Sequence, residues 1–194
     1  MSDDVIDSLV GIAPGSALDT MRARRPVARS NSQRSCEVLL TPADPGDVLL
    51  AERWAVAAYV AGLHGEEATA AHYAAGLAQH APALAGAVQA AIAETRTHGP
   101  YGSFPAGPLS AEDSEGPEAR LSQTLAEALG PRLAAAFVHT HFLVFHPRDA
   151  APERLRPLLD AGWTTTGIVT LSQLVSFLSY QIRVVAGLRA LAAA

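Results

Sequence analysis

AERWAVAAYVAGLHGEEATAAHY, residues 51–73, is the stretch that decides the fold. Val56, Val60 and Leu63 stand among alanines, with Leu49 and Leu50 just ahead, which predicts a mostly buried helix over 48–64 opened by Asp47 as N-cap. Gly65 ends that helix in the usual position just past its last turn. A second helix is expected over 66–80, where Glu66 and Glu67 put negative charge at the positive end of the helix dipole.

Outward from this pair, the rest of the chain also reads as helix. Residues 3–10 and 16–24 predict short helices split by the Gly-Ile-Ala-Pro-Gly turn at 11–15, with Ser16 capping the second. Residues 31–40 suit a third, and TPADPGD at 41–47 breaks the chain. Pro82 opens a helix running to Glu94 or Arg96. Residues 98–117, HGPYGSFPAGPLSAEDSEGP, have no period and are rich in Gly and Pro; a loop of this length is a mobile linker or a functional cover. Helices follow over 118–129 and 131–145, and a short one over 152–161 is closed by Gly162.

The clearest period lies at the end of the chain. Ile168, Leu171, Val175, Leu178, Ile182, Val185 and Leu188 recur at steps of three and four, while Ser172, Ser176, Ser179 and Arg183 form a second stripe that a neighbouring helix can approach closely. Nothing alternates with period two over a useful length. The expected class is therefore all-α, with residues 1–40 as an N-terminal helical extension and 41–194 as a helical domain divided by the 98–117 loop.

Composition narrows the function. Of 194 residues, 49% are hydrophobic but only 6% aromatic, so small aliphatic side chains must build the core. Net charge is −5, and all fourteen basic residues are arginine. Arg22, Arg24, Arg25, Arg29 and Arg34 make the one basic cluster, flanked by Asp19 and Glu37, and no basic stripe points to nucleic acid. The single cysteine, Cys36, rules out an intramolecular disulfide and a thiolate zinc cluster. The acidic start MSDDVIDSLVG lacks the basic region of a signal peptide, and apolar runs are interrupted by Arg, Gln or Ser before they reach spanning length. A cytoplasmic protein with no membrane or nucleic-acid partner is the expectation.

The helix opening Ala51-Glu52-Arg53, the Leu63-His64-Gly65 turn and the helix after it resemble the alkylhydroperoxidase D and carboxymuconolactone decarboxylase superfamily. The Ala161-Gly162-Trp163 turn, the run Ile168-Val169-Thr170-Leu171 and the ending Arg183-Val184-Val185-Ala186-Gly187-Leu188 extend the likeness across 40–192, closest to the peroxidase-related branch. The resemblance implies a helical bundle with a long C-terminal helix and an oligomeric assembly. Active members carry a Glu upstream of Cys-x-x-Cys and a His four residues after the second cysteine, and these two relay protons to generate the attacking thiolate. Carried onto this sequence, Glu52 matches the Glu, Glu66 and Thr69 occupy the cysteine positions, and Tyr73 occupies the His position with His72 one residue short. Shifting by one places Gly65 and Ala68 at the cysteines, so neither register supplies a thiol.

A dithiol mechanism needs two sulfurs within disulfide reach, and this chain has one cysteine. Two readings stay open. In the first, the protein has lost thiol chemistry and serves as a homo-oligomer or as the partner of a related, cysteine-bearing chain. In the second, Glu52, Glu66, Thr69, His72 and Tyr73, with His64 beside them, form an acid–base pocket for a small organic ligand such as a peroxide or lactone, since histidine titrates near neutrality. Each residue also has a plainer role: Glu52, Glu66 and Glu67 as first-turn acids, His72 on a helix surface, His64 at a C-terminus. His139, His141 and His146 lack the i, i+3 or i, i+4 spacing of helical metal ligands. No metal or cofactor is called for.

Overall fold

The computed structural model describes residues 4–193, and among them it is all-helical, with no strand. Asp3, the first residue of the expected N-terminal helix, lies outside the described residues.

Helix α4 (Leu50–His64) is the centre of the bundle. Every residue from Ala55 to Ala61 is buried, as expected of a helix that is apolar all round. It packs against α5 (Glu67–His80), α6 (Ala85–Thr95), α7 (Gln123–Phe145) and α9 (Thr165–Ala193). Its alanines let four neighbours approach closely, so a chain poor in aromatics still builds a dense core. Gly65 closes α4 in the left-handed region, at φ 68°, as expected.

The start of α4 differs from the expectation. Asp47 is not the N-cap: the turn continues through Val48, Leu49 takes the N-cap position, and Glu52 reaches back to accept the Leu49 N–H at 2.9 Å. Asp47 instead accepts the Thr164 hydroxyl at 2.6 Å, just before α9. Similarly, Glu66 precedes α5 as its N-cap and accepts the Thr69 N–H at 2.8 Å. In both cases a carboxylate satisfies a helix-start amide that would otherwise have no partner.

Helices α1 (Val5–Val10), α2 (Ala17–Ala23) and α3 (Pro26–Leu40) precede this core, and α1 and α3 pack on α9. Ser16 caps α2 by accepting the Asp19 N–H at 3.3 Å. The third helix begins earlier than residue 31 because Pro26 sits at its first turn, where a missing N–H costs nothing. Two of the clustered arginines turn inward: Arg22 pairs with Asp4 and Asp7, and Arg29 with Asp4, Asp7 and Asp19. Arg53 ties the 41–48 break to α4. Its buried guanidinium donates to the carbonyls of Val48 (2.9 Å), Leu39 (2.6 Å) and Pro45 (2.9 Å).

The 98–117 loop is anchored along its length. Tyr101 N–H donates to Phe145 O at 2.5 Å, Gly102 and Ser114 form a bridge, and Arg148 lies 4.0 Å over the Phe104 ring. At the far end His146 Nε2 contacts Pro117 O at 3.0 Å. Residues 118–122 consequently stay out of α7, which starts at Gln123 instead of 118. Glu94 on α6 accepts the Ser122 N–H at 2.5 Å there.

Within α7, Gly130 has φ 75° and ψ 158° and breaks the helix at Gly130-Pro131, where two helices were expected. That backbone region is essentially reserved for glycine. Gly130→Ala should therefore cost about 1–3 kcal/mol, read as a lower urea midpoint; an unchanged midpoint would contradict the assigned conformation. The expected helix over 152–161 is a 3-10 turn, Pro152–Leu155, followed by α8 (Arg156–Asp160).

On α9 the apolar period faces the core, with Ile168, Leu171, Val175, Leu178, Ile182 and Val185 all buried. The serine stripe divides: Ser172 and Ser179 turn to histidines of α7 and α4, while Ser176 and Arg183 are exposed. Despite the polar interruptions, α7 and α9 are long and apolar enough to cross a membrane, with mean hydropathies of 1.2 and 1.3. Within the bundle 61% of the apolar window of α7 and 50% of that of α9 is buried.

Candidate functional site

The five residues picked out from the sequence fall into three separate environments. Glu52 is buried and fully engaged: Oε2 accepts the Leu49 N–H, and Oε1 accepts Arg132 Nε at 2.6 Å. Arg132 also donates to Gly162 O at 2.8 Å and Asp47 O at 2.6 Å, and its guanidinium lies 4.0 Å over the Trp163 ring. The Glu52–Arg132 pair thus joins the start of α4 to the α8–α9 turn.

Glu66 and Thr69 form the second environment. Thr69 is fully buried, and both its N–H and its hydroxyl donate to Glu66, which also faces Arg189 at 3.6 Å. Burial alone would raise the Glu66 carboxyl, but the Thr69 hydrogen bonds and Arg189 hold it below the usual range. Glu52 stands in the first turn of α4 and Glu66 beyond its last, with the twelve steps from Glu52 to His64 rising about 18 Å along the helix between them. One ligand small enough for an acid–base pocket cannot touch both.

Tyr73 occupies the third environment. It is fully buried, and its hydroxyl donates to Gln181 Oε1 on α9. Cys36 on α3 comes up beside Tyr73 and Gln181, a neighbourhood that nothing in the sequence pattern marks. Burial pushes the Cys36 thiol up to about 11, against weaker stabilisation from Gln181 and Tyr73. At neutral pH it is a thiol and a poor nucleophile. Burial likewise raises the Tyr73 hydroxyl well above its ordinary value. His72 is exposed on α5, its ring meeting Tyr73 edge-on at 5.0 Å. His64 lies on the other side of α4's end, 3.2 Å from Ser179, and burial followed by the nearby Arg183 lowers it to about 4.

The histidines of α7 also go to separate partners. His141 Nε2 meets Thr95 O at 3.0 Å, and His146 bridges Pro117 O and Asp149 at 3.0 and 3.3 Å. Among the described residues no three His, Cys, Asp or Glu side chains gather as a metal site. His139 is 6% exposed, with Nε2 3.0 Å from Ser172 Oγ and Nδ1 without a partner. Burial draws the ring down to about 4, so it is neutral at pH 7. The neutral ring donates to Ser172 Oγ or accepts from it according to which nitrogen carries the proton.

Beside His139 lies a cleft of about 270 Å³ between α7 and α8. Ala119, Ala135, Val138, Phe142, Pro157 and Leu158 make its apolar walls. At its rim Arg154 holds Glu118 in a two-pronged ion pair at 2.8 and 3.0 Å and lies 4.8 Å over Phe142. This feature was not foreseen in the sequence, because Glu118 and Arg154 are brought together only by the anchored loop. No known protein family, curated protein or solved structure matches this chain.

Proposed function

We propose that the chain is an alkylhydroperoxidase D-like protein with a degenerate redox site, acting as an oligomeric or accessory subunit and not as a disulfide-cycling peroxidase. The observation that carries this reading is Glu52. Both oxygens of the carboxylate aligned with the family's proton relay are engaged, one at a helix start and one with the Arg132 guanidinium, which gives it a structural role at the head of α4. The raised Cys36 thiol removes the remaining sulfur nucleophile. Exposed Val38, Leu155 and Val169 beside the groove between α3 and α9 support the oligomeric part, since apolar side chains grouped at a surface mark contact sites.

Peroxide assays supplied with a dithiol reductant test the catalytic half. The wild type should consume neither hydrogen peroxide nor an organic hydroperoxide above the reductant-only rate, and Cys36→Ser should behave identically. Dithiol-dependent turnover that Cys36→Ser abolishes would sink the reading. For the assembly, light scattering should report more than one chain per particle at micromolar concentration. A clean monomer there would remove the homo-oligomer.

A further inference from the structure

The α7–α8 cleft has the makings of a ligand site that the reading above does not use. Its walls are apolar on both sides: Ala135, Val138 and Phe142 from α7, Pro157 and Leu158 from α8. Residue Ala119 closes it from the extended stretch before α7, a stretch held down by the His146–Pro117 contact and the Glu118–Arg154 pair. A second cleft of about 420 Å³ lies against the same His139, Phe142 and Arg154 and carries Ser172 in its lining. Closed apolar cavities of about 150 Å³ already hold benzene, so about 270 Å³ leaves room for a ring with a substituent.

The charges at the rim select among such molecules. Arg154 is the cation in the lining, and both its terminal nitrogens are committed to Glu118. Glu153 adds a second carboxylate at the same rim. An anion would meet two carboxylates and a guanidinium already paired. An ammonium would gain only a solvent-exposed ion pair, worth about 0–1 kcal/mol, against its own loss of hydration. A hydroxyl faces neither difficulty, because it can donate to a rim carboxylate and accept from the guanidinium.

We propose that this cleft binds an uncharged, largely apolar small molecule bearing a hydroxyl group, of the size of a substituted benzene. Benzyl alcohol, benzoate and benzylamine share one ring and differ in charge, so titrating each into the full-length protein and following backbone amides by NMR tests both location and class. Benzyl alcohol should give saturable shifts at residues 135–142 and 154–158, with benzoate at least about tenfold weaker, the equivalent of 1.4 kcal/mol. Ala135→Leu and, from the more exposed side, Val138→Phe each fill the cleft. Whichever of them keeps the wild-type melting temperature should lose benzyl alcohol binding about tenfold or more. Shifts elsewhere, binding that survives in a folded cleft-filling variant, or tighter binding of either charged compound would each overturn the proposal. None of these results depends on whether the protein consumes peroxide.

Discussion

Arg132→Ala should destabilise the protein by about 2–3 kcal/mol, below the about 3–5 kcal/mol seen when one partner of a fully buried ion pair is removed, because Arg132 is only partly buried. The size of the effect comes from what stays behind. Glu52 is 7% exposed, and without Arg132 one of its oxygens loses its charged donor inside the bundle. The carbonyls of Gly162 and Asp47 lose their donors in the same step, and Trp163 loses the guanidinium stacked on its ring. Arg132 itself is about a third exposed, so the penalty falls on its partners more than on its own burial. Urea unfolding followed by far-UV circular dichroism gives the number. Coupling provides a sharper check: in a Glu52→Gln background the same substitution should cost measurably less. A loss below about 1 kcal/mol in the wild-type background would show that the pair is a solvated surface contact.

Acidification should remove about 3 kcal/mol through His139 alone. In the folded protein the ring titrates at about 4, because burial disfavours its charged form, whereas in the unfolded chain it titrates near 6.5. Between those values the unfolded chain binds a proton that the folded chain refuses, so stability falls as pH drops through 6.5 and stops falling from this source near 4. His64, also held at about 4, acts in the same direction. Unfolding free energies measured at several pH values from 7.5 to 4.5 should follow this slope, and His139→Gln, which retains an amide donor for Ser172, should flatten it. An imidazole resonance for His139 that titrates near 6.5 in the folded protein would contradict the prediction.

Much of the helical architecture was legible because its cause is local. The three-four period from Ile168 to Val185 appears in the sequence and faces the core, and Gly65 stops α4 through its own backbone freedom. Helix starts were harder to read where a distant residue shapes them. Glu52 displaces Asp47 at the start of α4 while Arg132, eighty positions away, holds its other oxygen. Residues 118–122 leave the expected helix because Arg154 and Glu94 take Glu118 and Ser122. The candidate site suffered most from this kind of distance. Spacing placed Glu52, Glu66, Thr69, His72 and Tyr73 on neighbouring helices, but spacing cannot say which of them already has a partner. His139 looked like one of three clustered histidines, yet a two-residue step sets His141 well round the helix from His139, His146 stands just past the last residue of α7, and α9, α6 and the anchored loop each receive one.

Arg53 bears on how copies of this chain can associate. Exchange of an N-terminal arm between protomers requires a hinge that can straighten and carry the arm across to the neighbour. Here one buried guanidinium grips the carbonyls of Leu39, Pro45 and Val48, so straightening residues 41–48 would strand a buried cation with no acceptors. Helices α1–α3 are thereby tied to the bundle of their own chain, and exchanging them between protomers would cost these contacts.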